Sequence, residues 1–167
     1  WVANMAASVG LSIAILVLVS LGLSVLFGMM GIINLAHGEF LMFGAFATLA
    51  GVRSGLPLPI AMVLATLVVA VFGWVVERAL IRHLYGRLAD SMLATWGLSL
   101  IMSQVAVYIF GPTTQGIPTP GGSLQVGGYS ISVYSIVLIL AAFALLGIVY
   151  AVFTRTRYGV MARAAVQ

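Results

Sequence analysis

The chain has 167 residues, 63% hydrophobic and only 6% charged, with a formal net charge of +4. An average soluble domain carries roughly 25% charged residues, so the solvent this composition suits is a lipid bilayer, and the expected fold class is an all-α polytopic transmembrane bundle. Cysteine is absent, which excludes disulfides and zinc–cysteine sites, and lysine is absent, which excludes a Walker A phosphate loop.

A spanning helix needs about 20 apolar residues. Five segments come close, at about 8–27, 32–52, 57–80, 92–110 and 131–153. Between the first two, Gly28-Met-Met-Gly31-Ile-Ile-Asn34 is expected to break the chain, with Asn34 as helix N-cap. The second and third are separated by Ser54-Gly-Leu-Pro-Leu-Pro59, the third and fourth by the charged run from Arg78 to Asp90, and the last two by the Gly/Pro-rich run 111–130. Within that run, Ser123-Leu-Gln-Val and Tyr129-Ser-Ile-Ser-Val133 flank a Gly-Gly pair, which predicts a short β-hairpin over 123–133.

The arginines set the orientation. Arg78, Arg82 and Arg87 lie between the third and fourth segments, and Arg155, Arg157 and Arg163 follow the fifth, whereas the loop 111–130 is uncharged. Both basic loops are therefore expected on the cytoplasmic side, leaving Arg53 alone outside. A pI of 10.0 would suggest nucleic acid as partner in a soluble protein, but arginines between apolar spans are topology signals, and no nucleic acid is expected. Arg78 and Arg82 share a helical face and predict an interfacial extension of the third span, and Arg87 and Asp90 are spaced to pair across one turn. The whole of 1–167 reads as one transmembrane domain. It starts on Trp1, not methionine, and stops at Gln167 in a cytoplasmic segment, so it is expected to be incomplete at its C-terminus.

Two ionisable groups stand out in the oily run: His37 and Glu39. From Phe40 to Val52 a helix covers roughly 20 Å, too little for about 30 Å of hydrocarbon. The second span is thus expected to begin near Ile32 or Asn34, with His37 and Glu39 in its first turns at the cytoplasmic side, away from the bilayer centre. The residues leave three roles open: polar groups bonding nearby backbone at a helix junction, a proton relay or solute contact, and metal or hydrolytic chemistry. The last is disfavoured because no second histidine lies one turn away and no nucleophile–base set accompanies it. Neither an enzyme nor a bound cofactor is expected. Small residues at four-residue intervals fit close helix packing, and one such stripe, Thr95, Ser99 and Ser103 with Gln104 beside it, is polar enough to line a solute path.

Four blocks then carry a family resemblance. Phe27-Gly-Met-Met-Gly-Ile-Ile-Asn-Leu-Ala-His-Gly-Glu-Phe-Leu-Met-Phe-Gly-Ala45 is followed by Glu77-Arg78 with Arg82-His-Leu-Tyr-Gly-Arg87. Leu93-Ala-Thr-Trp-Gly-Leu-Ser-Leu-Ile101 leads to Ile109-Phe-Gly-Pro112, and Thr154-Arg-Thr-Arg-Tyr-Gly159-Val-Met-Ala-Arg163-Ala closes the series. Together they resemble the permease subunits of branched-chain amino-acid type ABC importers. The resemblance implies a multi-pass protein of a bacterial or archaeal inner membrane that pairs with a second permease subunit. Two cytoplasmic ATP-binding subunits would hydrolyse ATP, and an external solute-binding protein would deliver the substrate. It also implies that Arg157, Gly159, Arg163 and Ala164 begin the loop coupled to the ATPases. Some blocks look closer to a urea and short-chain amide branch, so amino acid and urea or amide both stand as expected substrates. The rival classes are a proton-coupled secondary transporter using Glu39 and His37, and a non-transporting membrane scaffold.

Overall fold

The computed structural model describes residues 2–112, 116, 122–126 and 129–155. The architecture is all-α with one small hairpin, and the chain divides into two compact units, Trp1–Met29 with Thr119–Gln167, and Met30–Pro118.

In the first unit, α1 (Val2–Met30) and α5 (Val133–Arg155) are long apolar helices. They approach at Gly10, where a Cβ would stand 3.4 Å from Ile139 Cδ1, and Ala14 and Ala142 are each 1% exposed. Small residues therefore occupy the buried positions, as expected where helices associate by close backbone approach instead of by exclusion from water. The strands β1 (Ser123–Val126) and β2 (Tyr129–Ser132) pair antiparallel, with Ser123 opposite Ser132 and Val126 opposite Tyr129. The Val133 N–H donates to the Gly122 carbonyl at 3.3 Å, joining the hairpin base to the start of α5.

The second unit holds α2 (His37–Arg53), α3 (Leu58–Ala79), a 3-10 turn (Ile81–Leu84) and α4 (Leu88–Phe110). Helices α2 and α3 run antiparallel: Phe40 and Phe43 meet Phe72, with ring centroids 5.6 and 5.0 Å apart, and Gly51 lies against Ala61 near the opposite end. The turn between them is closed by Gly55 at φ 92, a left-handed conformation that glycine adopts without steric cost. Proline in the first turn of α3 suits a position whose N–H has no helical partner. Phe46 of α2 stacks on Phe110 of α4 with ring centroids 4.1 Å apart. Elsewhere these helices present large apolar side chains outward, such as Val63, Leu93 and Ile109, which lipid accommodates.

Three expectations are corrected. The break between α1 and α2 is narrower and later than 28–34: α1 continues through Met30, and α2 begins only at His37, with Ala36 and not Asn34 at its N-cap. Among the described residues four helices, rather than about five, are long and apolar enough to cross a membrane; α2 has 17 residues, about 26 Å of helix, and falls short of that length. Helix α3 does not continue through Arg82. Leu80 departs to φ −122, and the 3-10 turn that follows buries Ile81 to 8% exposure.

Candidate functional site

The site grows from the segment 31–36, which is neither helix nor strand. Gly31 enters it at φ 63, and Ile32 and Ala36 are buried at 3% and 0% exposure. Backbone polar groups at such a place need partners from outside the local ladder. Thr95 of α4 supplies them: its Oγ1 accepts the Leu35 N–H at 3.1 Å and lies 3.4 Å from the Ile33 carbonyl. The same hydroxyl reaches the carbonyls of Ser91 at 2.9 Å and Met92 at 3.1 Å, so its single proton has acceptors both on its own helix and in the break, while its oxygen accepts from the break. Thr95 and Ser91 are both 0% exposed.

Asn34 acts within the break. Its Oδ1 accepts the Ala36 N–H at 3.0 Å, and its carbonyl accepts the His37 N–H at 3.4 Å. This is a turn leading into the helix, two residues earlier than a cap. The later helix start moves Glu39 into the first turn of α2, where its charge faces the positive end of the helix dipole. His37 is the first residue of α2 and partly buried.

Glu39 reaches across to α4. Ser99 donates its hydroxyl to Glu39 Oε1 at 2.6 Å and Ser103 donates to the same oxygen at 3.3 Å. Among the described residues, Oε2 has no hydrogen-bond partner and the carboxylate makes no ion pair; the one salt bridge, Arg87–Asp90 at 2.8 Å, is exposed. This pairing fixes which helix Glu39 faces and how far along that helix it lies. Ser99 lies at the middle of the 23-residue α4, and Phe40 is level with Gly73 of α3, six residues or about 9 Å before that helix ends at Ala79. Thr95 and Asn34 satisfy the stretch of backbone before α2 without a helix.

One helical turn above Glu39 begins a cavity of about 360 Å³ lined only by apolar side chains, among them Phe43, Phe46, Phe72, Leu98, Met102 and Ala106. Met102 stands between Ser99 and Ser103 in sequence, so the carboxylate–hydroxyl cluster and the cavity share adjacent turns of α2 and α4.

Not every residue singled out from the sequence meets here. Gln104 is exposed beside Tyr108 on another face of α4. Arg157, Gly159, Arg163 and Ala164 lie outside the described residues. No group of three metal-ligating side chains occurs among the described residues. In the basic loop, Glu77 takes the Tyr85 hydroxyl at 2.8 Å, a partner that helix spacing does not reveal. Burial, then the hydrogen bond to Glu77, raise the Tyr85 pKa above its usual value.

Neither the bond from Thr95 to the break nor the Glu39–Ser99–Ser103 cluster is evident from the sequence as a contact. A hydroxyl at every fourth position of one helix, together with the only acidic residue of the apolar run, is the signal that points to it.

A family model described as branched-chain amino acid transport system / permease component matches residues 5–167. The chain is also similar to the high-affinity branched-chain amino acid transport system permease protein BraD of Pseudomonas aeruginosa, at 27% identity over 167 residues that cover 90% of this chain and 54% of BraD. It thus spans about half the length of that curated relative. No solved structure matches.

Proposed function

Because the chain belongs to the family of branched-chain amino acid transport system permease components, we propose that it forms part of the membrane pathway of an ATP-driven importer of branched-chain amino acids. The observation that carries this reading is the family match, which runs from residue 5 to residue 167. Members are transport subunits, not enzymes, and this one is a multi-pass protein of the bacterial inner membrane.

In this reading ATP is hydrolysed on two separate cytoplasmic subunits, in keeping with the absence of lysine here. A second permease subunit completes the path, and an external binding protein presents the solute. The segment 154–167, with Arg157, Gly159, Arg163 and Ala164, receives the movement of the ATPases, and the helices convert it into alternating access.

Leucine and urea uptake by cells carrying the whole system tests the proposal. Leucine uptake that fails on ATP depletion and survives collapse of the proton gradient supports it. Uptake that survives ATP depletion but fails with the proton gradient would replace it by a proton-coupled carrier, and uptake of urea alone would replace the substrate class.

A further inference from the structure

We propose that Glu39 is the binding point for the ammonium group of the transported amino acid, with the apolar cavity one turn above it taking the side chain. This deepens the importer reading and rests on it.

The chemistry follows from what surrounds the carboxylate. A charge at membrane depth is costly unless paired or serving a polar path. Ser99 and Ser103 both bond Oε1, orienting the group from α4 without neutralising it. Oε2 has no hydrogen-bond partner among the described residues, and no cation of the protein pairs with the group there. Among the described residues the carboxylate thus has a place open for a small visiting cation, and an α-ammonium, with its three donors, suits a carboxylate oxygen with free lone pairs.

The neighbouring cavity adds the second half of the recognition. At about 360 Å³ it lies within the ordinary size range of small-molecule sites, and its phenylalanine and methionine lining takes a branched aliphatic chain. A carboxylate beside an apolar chamber matches a solute with a cationic head and an apolar tail. Urea has neither. Thr95 acts as a positioning residue, since its bond to the Leu35 N–H holds the segment from which α2 starts.

The test uses the whole transport complex in proteoliposomes, energised with ATP and supplied with its binding protein and leucine. Glu39→Gln keeps an acceptor for both serine hydroxyls but removes the charge, so the complex is expected to assemble and keep its ATPase activity while leucine uptake drops about tenfold or more. Glu39→Asp, which restores the charge, is expected to recover part of that uptake. Ala106→Phe, which fills the cavity, is expected to lower leucine uptake more than alanine uptake. Should Glu39→Gln assemble and carry leucine at the wild-type rate, the inference is wrong. Equal loss in Glu39→Gln and Glu39→Asp, with reduced assembly in both, would make the carboxylate structural and overturn it as well. A wild-type complex that carries no leucine with ATP instead defeats the importer reading itself.

Discussion

Thr95 carries the most consequence per atom in the second unit. Replacing it with valine keeps its shape but removes the acceptor for the Leu35 N–H, while Thr95→Ser keeps that acceptor. Leaving a buried donor unsatisfied costs about 1–3 kcal/mol, so Thr95→Val should lower thermal stability in detergent by that amount, and Thr95→Ser should recover most of it. An unchanged melting temperature in Thr95→Val would mean that the break finds its partners elsewhere. In the basic loop, the raised pKa of Tyr85 has a defined consequence for pH dependence. The folded state holds the phenolic proton more tightly than the unfolded chain. The contribution is thus complete below the ordinary phenol value of 10.0 and is lost as pH rises through the higher folded value. Tyr85→Phe, which lacks the titrating group and its bond to Glu77, should flatten the alkaline limb of a stability–pH curve.

The pairing of α2 with α3 depends on glycine where the backbones close. A Cβ at Gly51 would come within 3.0 Å of Ala61 Cβ and 3.4 Å of its Cα, against backbone that cannot swing aside. Gly51→Val should therefore force the helices apart and cost about 1–3 kcal/mol, read as a fall in melting temperature. Gly44→Ala makes a useful contrast. Its Cβ would meet a Val69 methyl at an ordinary 3.6 Å, and alanine gains about 0.5–1 kcal/mol of helix propensity, so this variant should be neutral or slightly stabilised. Equal destabilisation by both changes would contradict this helix register. The elements are largely legible in the sequence, because long apolar runs bounded by Ser-Gly-Leu-Pro or by arginines leave few alternatives. Their ends are not. Residues 31–36 are nearly as apolar as a helix, and a hydroxyl from another helix, together with the side chain of Asn34, makes their irregular path tolerable.

For the whole molecule, arginine counting predicts that the loop 80–87 faces the cytoplasm and the α4–β1 connection faces outward. The chain has no cysteine, so single replacements report cleanly. Pro112→Cys should react with a membrane-impermeant maleimide added to intact spheroplasts, and Arg82→Cys should react only after permeabilisation. The reverse pattern would invert the topology and place Glu39 nearer the outer face.

The sequence by itself determined the membrane class, the basic and uncharged loops and the motif blocks that carry the family. These are properties of composition and order along the chain, and a bilayer filters them strongly. It also marked Glu39 as an outlier. Only the tertiary structure decided what that residue faces. Ser99 and Ser103 lie 60 and 64 positions away, and Thr95 lies 60 from the backbone it holds. No local periodicity encodes contacts at that separation; they exist because α2 starts late, at a depth set by packing on α3 and α4. A carboxylate that reads as the start of a helix thereby becomes a charge opposite the middle of one.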